Sequence, residues 1–198
     1  MILPDWKIVE ALKEGAISVD EFDTDLNLET EEIVRKSDMI QPSSVDMHLS
    51  DEFIEFNTDP SLSFIDPFDD SHNYGDDKII QEDGYMLNPG QFILGKTEEK
   101  ISLPNNIRAT VEGRSSWGRL AVIPHTQAGY IDAGYEGNVT LEIVNLGPMT
   151  VRLLPGEKFC QFEFARLEAP ALEPYNGKYQ GDEGVTHSRL HQDKENKE

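Results

Sequence analysis

The chain is poor in cysteine. Cys160 is the single one among 198 residues, which excludes an intramolecular disulfide and a cysteine-rich zinc site. Long apolar runs are missing too: nothing approaches the roughly 18 apolar residues of a membrane-spanning helix. The opening stretch, MILPDWKIVEALKEG, carries acids too early for a secretory signal peptide, so a cytoplasmic protein is expected. Cations are scarce. Seventeen Lys and Arg stand against 38 Asp and Glu, a formal net charge of −21. Such a surface repels nucleic acid and anionic membranes, and neither is expected as a partner. What is present, 37% hydrophobic and 9% aromatic residues, fits a folded domain rather than a disordered chain.

The acids are unevenly spread. Residues 1–100 hold 25 acids and 7 Lys/Arg, whereas residues 101–198 hold 13 and 10. If the protein binds an anion, its second half should do so. The acidic excess has two readings: simple solubility, or a halophilic host whose internal salt screens the repulsion.

Asp5 to Lys13 reads as a short helix. Pro4 or Asp5 starts it, Ile8, Val9 and Leu12 form an apolar stripe, and Gly15 ends it. Residues 20–38 are acidic and poorly periodic, a loop with a helical turn. From Ser43 the pattern alternates, with Val45, Met47 and Leu49 on one face and Ser44, Asp46 and His48 on the other. Phe53-Ile54-Glu55-Phe56 reads as the next strand. Residues 57–77 read as a long loop, and Phe64, Ile65 and Phe68 suggest that it packs down. Short strands are expected near 84–87, 92–97, 107–112, 140–145, 150–154 and 159–164, separated by Pro- and Gly-containing turns. This spacing predicts an all-β barrel or jelly-roll-like sandwich. One domain is expected over 1–190. The closing HQDKENKE, 191–198, has no apolar anchor and is expected to be disordered.

Three stretches concentrate chemistry. Val111 to Arg119 sets two arginines, two serines and two glycines directly after a strand. Arginines and hydroxyls donate to phosphate or to a developing oxyanion, although a β-turn with surface arginines has the same composition. Ala128 to Gly137 places Asp132 among small residues, as suits a loop wrapped around a small molecule or simply a glycine-rich hairpin. In Asn138 to Asn145, Glu142 lies mid-strand, on the face opposite Val139, Leu141 and Ile143. A partly buried strand carboxylate costs free energy unless paired, and such groups often have raised pKa values suited to proton transfer. A solvent-facing strand Glu is the other reading.

Arg114-Ser115-Ser116-x-x-Arg119, then Ala128-Gly129-x-Ile131-Asp132-x-Gly134-x-x-Gly137, then Leu141-Glu142, together resemble the signature of dCTP deaminases in the dUTPase superfamily. Gln41 to Leu49, Pro89 to Gly95 and Pro155 to Phe162 resemble further strands of that family. Tyr175, Lys178 to Gly181 and Ser188-Arg189 resemble its C-terminal lid. The likeness covers nearly the whole chain except residues 20–38 and 57–80.

The resemblance implies a distorted jelly-roll-like β-barrel of the dUTPase type, with a short N-terminal helix and a C-terminal lid. It implies a homotrimer with active sites between subunits. The implied reaction is hydrolytic deamination of dCTP at cytosine C4, without zinc and with Mg2+ accompanying the triphosphate. The chain agrees in lacking the H-x-E and P-C-x-x-C signature of zinc deaminases. By the family pattern Glu142 is the general base, and Ser115 and Arg119 position the water and stabilise the tetrahedral centre, helped by the Ala128 carbonyl. Arg114, Ser116, Gln161 and Lys178 contact phosphates, Asp132 holds the 3'-hydroxyl, and Tyr175 covers the nucleotide. Thr140 and Leu141 complete the substrate-binding set. dTTP is the implied inhibitor.

Gly129-Tyr130 resembles the pair found in members that go on to dUMP and pyrophosphate, with Asp132 as base for a second water. The expected product is therefore dUMP. A deaminase releasing dUTP and a plain dUTPase are the alternatives. Two positions depart from the pattern: Gln127 stands where Thr is usual, with Thr126 one place earlier, and Asp182 stands where the lid usually supplies Gln.

Overall fold

A computed structural model of the chain describes residues 1–57, 64–70 and 74–195. The chain opens with helix α1 (Asp5–Lys13), strand β1 (Ser18–Val19), helix α2 (Thr30–Lys36) and strand β2 (Ile40–Gln41). The main strands follow: β3 (Ser44–Phe56), β4 (Gly75–Ile79), β5 (Tyr85–Leu87), β6 (Phe92–Ser102) and β7 (Ile107–Gly113). A four-residue helix, α3 (Ser115–Gly118), leads through β8 (Val122–Ile123) and β9 (Tyr130–Ile131) to β10 (Glu136–Asn145). Strand β11 (Val151–Leu153), which pairs with β5 in a separate two-stranded sheet, and strand β12 (Lys158–Arg166) follow, and a helical turn, α4 (Gln192–Glu195), comes last. No helix among the described residues is long and apolar enough to cross a membrane.

Ten strands form one antiparallel sheet in the order β8-β10-β6-β3-β12-β7-β9, with β1 on β6 and β2 and β4 on β3. It curls into a distorted jelly-roll-like barrel because β3 serves both sides. The first half of β3 pairs with β12, as in Val45↔Phe162, and its second half with β6 and β4, as in Ile54↔Leu94 and Ile54↔Asp77. Alternating apolar residues fill the inside: Met47, Leu49, Ile93, Phe159, Phe162 and Phe164 are all fully buried. Each such side chain contributes about 1.5–3 kcal/mol of burial. α1 turns Ile8, Val9, Ala11 and Leu12 into this core and packs beside α2, which buries Ile33. Asp5 in its first turn and Lys13 in its last complement the helix dipole.

The structure revises several expected boundaries. Ser50-Asp51-Glu52, read as a break between two strands, lies inside β3 at a register shift between Leu49 and Phe53. β6 runs on through Glu98-Glu99-Lys100 because buried Glu99 finds a partner across the sheet in His48, at both its main-chain N–H and its ring Nδ1. The expected loop 57–77 contains the start of β4; its residues 58–63 and 71–73 lie outside the described residues. Phe64 is 77% exposed and Phe68 is exposed as well, so the apolar residues of this stretch do not all pack down. In the tail expected to be disordered, α4 forms and Asp193 bonds Lys178, a partner 15 residues away that the tail's own composition does not reveal. Residues 196–198 lie outside the described residues.

Candidate active site

A cavity of ≈ 540 Å³ opens against the outer face of β10. Its floor is β10 itself, through Val139, Thr140 and Glu142, and one wall is aromatic, through Phe56, Phe92 and Tyr74. The Phe56 ring meets Phe92 edge-on at 5.1 Å and Tyr74 at 5.4 Å. Asp66, Asp69, Asp132, Glu142 and Asp182 all line the space, and none of the described lining residues is Lys or Arg. Such a cavity suits a neutral ring and a sugar, and repels phosphates that arrive without cations.

Glu142 is half buried and its Oε2 is densely bonded. It accepts the Thr126 hydroxyl at 2.6 Å and the main-chain N–H groups of Thr126, Gln127 and Ala128 at 3.1, 2.9 and 3.4 Å. The local chain explains this. β8 pairs with the end of β10, Ile123 opposite Val144, and Pro124, which has no N–H, ends that pairing. The backbone then turns and points three successive N–H groups at the carboxylate. Burial alone would push the Glu142 carboxyl up; these donors outweigh it and hold the carboxyl below its ordinary value. The raised pKa expected for a strand carboxylate is therefore reversed, and Glu142 is ionised and ready to accept a proton.

The turn is braced at Gly129. A Cβ there would lie 2.7 Å from the His125 ring and 3.1 Å from the Val111 carbonyl, so the room left by this glycine is taken by His125. Tyr130, next along, is exposed, lines the cavity and carries the Arg108 guanidinium 4.2 Å from its ring centre. Asp132 follows β9 at the cavity edge.

The C-terminal segment covers the opening. Gly134, at φ +93°, lets it approach: a Cβ there would lie 2.6 Å from Pro174 and 3.0 Å from the Tyr175 nitrogen. Tyr175 donates its N–H to the Ala133 carbonyl at 2.8 Å, and its ring stands 5.8 Å from that of Tyr135. Further on, the Asp182 carbonyl accepts from Asn138, Lys96 bonds the Glu183 carbonyl at 3.0 Å and Ser188 donates to the Tyr74 hydroxyl. Asp182, the acid that stands where a phosphate-binding Gln is usual, is 9% exposed and bonds Arg189 at 2.8 Å. Its charge is spent inside the lid.

A second cluster sits apart from this cavity. Arg114, Ser115, Ser116, Arg119 and Gln161 are absent from the lining. Arg114 bonds buried Asp46 at 3.2 Å and the Lys158 carbonyl at 2.8 Å, and the Trp117 indole donates to the same carbonyl. Gln161 accepts from Ser44 and donates to the Gly113 carbonyl. Ser115, Ser116 and Arg119 are exposed around α3, with Arg119 donating to the Ser115 hydroxyl at 3.1 Å.

One chain thus brings together Glu142, Asp132, Ala128, Tyr130, Thr140 and Tyr175, and holds the arginine–serine group elsewhere. Lys178 bonds Asp193 at 2.8 Å and does not line the cavity. Leu141 is fully buried in the core, where its side chain cannot touch a ligand in the cavity. Phe56, Tyr74, Phe92 and Thr186 line the cavity without any sequence signal of their own, since their aromatic or hydroxyl character has a core or surface explanation as well. Among the described residues, no group of three or more His, Cys, Asp or Glu is arranged to hold a metal ion.

The sequence model of the dCTP deaminase-like family matches residues 2–167. A dCTP deaminase, dUMP-forming, of Methanosphaera stadtmanae is 41% identical over 202 residues, covering 97% of this chain and 95% of its own. A dCTP deaminase of Haloarcula marismortui is 40% identical, covering 98% and 97%. The solved structure of 2'-deoxycytidine 5'-triphosphate deaminase from Agrobacterium tumefaciens superimposes with a TM-score of 0.59 at 22% identity, over 82% of this chain and 46% of that one, a likeness of fold.

Proposed function

The chain belongs to the dCTP deaminase-like family, and on that premise we propose that it is a hydrolase converting dCTP and two waters to dUMP, ammonia and pyrophosphate. The observation that carries the reading is Glu142: an ionised carboxylate with one oxygen fixed by four donors, at the floor of a cavity fit for a base and a sugar.

In the first step Glu142 takes a proton from a water as its oxygen bonds to cytosine C4. The proton passes to N3; Glu142 then takes the proton of the new C4 hydroxyl and delivers it to the amino group, so that the C4–N bond breaks with loss of ammonia as the C4 carbonyl forms. Ser115 and Arg119 position the water and balance the charge that develops at C4. In the second step a water, with Asp132 as base, attacks the α-phosphorus and pyrophosphate leaves. Gly129 and Tyr130 shape that end of the site. Asp132 and Tyr175 hold and cover the sugar and base.

The triphosphate cannot rest among the carboxylates that line the cavity. It enters as its Mg2+ complex, the ion held by phosphate oxygens and water, and extends toward Arg114, Ser116, Gln161 and Lys178. Because the arginine–serine group lies off the cavity of its own chain, it serves the cavity of a second copy. A closed homotrimer gives three such composite sites.

The test is a single-turnover reaction with Mg–dCTP, followed by ammonia assay and chromatography. We expect dUMP, pyrophosphate and ammonia in equal amounts with little free dUTP. Stoichiometric dUTP that persists would remove the second step, and absence of ammonia would remove the whole reading.

A further inference from the structure

Two kinds of donor meet at Glu142 Oε2. Three are main-chain N–H groups, which any residues but proline at 126–128 could supply in this conformation. The fourth is the Thr126 hydroxyl, whose bond of 2.6 Å is the shortest of the set. A hydroxyl donating to a carboxylate at that length is a charge-assisted bond, stronger than a neutral one. Among the described residues, no donor is bonded to the other oxygen, Oε1.

We infer that Thr126 is a positioning residue for the general base: its hydroxyl clamps Glu142 Oε2 and so reserves Oε1 as the oxygen that takes and returns the proton. This rests on the reading of Glu142 as the base. A carboxylate bonded only by main-chain N–H groups from one turn could still rotate about its last torsion, which is broad and roughly two-fold. A side-chain hydroxyl arriving at the same oxygen adds a fourth anchor and makes the exchange of Oε1 and Oε2 costly. The clamp also favours the ionised form, as any donor to a carboxylate does.

The sign follows. Without the hydroxyl, Glu142 is more easily protonated, and the acid limb of kcat/KM, which reports the free enzyme, moves to higher pH. Other titratable groups face Glu142 across the cavity: Asp132 after β9, Asp66 and Asp69 from the 64–70 segment, Tyr135, and Asp182 and His187 from the lid. They are the same in every variant compared, as are the substrate's own ionisations, so a difference in the limb belongs to residue 126.

The experiment compares wild type, Thr126→Ser and Thr126→Val in ammonia release from Mg–dCTP across the acid and neutral range. For Thr126→Val we expect the acid limb at higher pH and kcat lower by roughly 10- to 100-fold, the scale of a lost hydrogen bond to a charged group. Thr126→Ser should restore both. Unchanged limb and kcat in Thr126→Val would overturn the inference, and so would equal damage in Val and Ser, which would mean that the overall shape of the threonine side chain, and not its hydroxyl, sets the rate. If Thr126→Val does not fold, judged by thermal melting, Thr126→Ala carries the same comparison. Failure of the wild-type protein to release ammonia would strike the base assignment itself, a different result from a wild type that deaminates and a Val variant that does so equally well.

Discussion

Glu142 receives four hydrogen bonds from its own chain, whereas Arg119, at the other half of the proposed site, is exposed and has the Ser115 hydroxyl as its hydrogen-bond partner among the described residues. The two halves differ in what one chain can satisfy. A carboxylate needs donors, and a turn of backbone supplies them locally. Donors fixed in advance need no reorganisation when charge moves during the reaction. An arginine in an acid-rich chain could have been paired in the same way, as Arg189 is with Asp182 and Arg114 with Asp46. Arg119 is left open. In the proposed site it is kept for the charge that develops at C4 of a substrate held in another copy's cavity.

The largest expected effect removes the self-sufficient half. Glu142→Gln keeps the shape of the side chain and cannot accept the proton, so deamination should fall by about 10²–10⁴-fold or more. Nucleotide binding, read by calorimetry, should survive. Deamination at a near wild-type rate would end the assignment.

Next comes recovery from two defects. Arg119→Ala alone should lower kcat by about 10²–10³-fold, as loss of a transition-state donor does. Copies carrying Glu142→Gln and copies carrying Arg119→Ala, refolded together, should regain activity. If each site joins Glu142 of one copy to Arg119 of another, about a quarter of sites in a random trimer are intact. A mixture as inactive as its parents would place both halves in one chain's site and erase the contrast drawn between them.

The same contrast marks what the sequence could say. α1 is legible because its apolar residues recur at helical spacing, and β10 because its alternation is clean; that alternation alone puts Glu142 on the outer face. The likeness to dCTP deaminases marked residues 114–119 and the Asp132 loop, without the helical turn that the former take up. Illegible were contacts between distant residues. His48 and Glu99 are 51 residues apart, and Arg114 and Asp46 are 68 apart. Nothing local tells a buried, paired strand acid from a solvated one, so β6 was cut short before Glu99 and β3 was split at Ser50. The pKa direction at Glu142 went wrong for the same reason: burial can be read from alternation, but the donors of residues 126–128 cannot.

A smaller effect probes the held arginine. Asp46 is 2% exposed and bonds Arg114, which also donates to the Lys158 carbonyl. Asp46→Asn keeps the volume and removes the counter-charge. Arg114 should lose its fixed direction, raising KM for Mg–dCTP by about tenfold with kcat within about twofold of wild type. A fall in kcat at unchanged KM would shift Arg114 from phosphate binding to the reacting centre.

The smallest effect concerns Lys178, whose ammonium bonds Asp193 at 2.8 Å and stays off the cavity lining. If it serves the triphosphate, it must first leave Asp193. A partly exposed pair of this kind is worth about 0–1 kcal/mol, so the cost of leaving is at most about fivefold in affinity. Asp193→Ala should therefore lower KM by up to about fivefold, and Lys178→Ala should raise it by a similar factor. The double variant decides the route. If Asp193 acts by holding Lys178, its removal brings no gain once Lys178 is gone, and the two changes are strongly non-additive. If Asp193→Ala tightens binding just as much in the Lys178→Ala background, Asp193 acts as one more repelling charge and Lys178 has no part in binding through it. Added salt separates the cases further. Long-range repulsion fades once the Debye length shrinks to about 3 Å at molar salt, whereas a lysine in direct contact with phosphate keeps most of its effect.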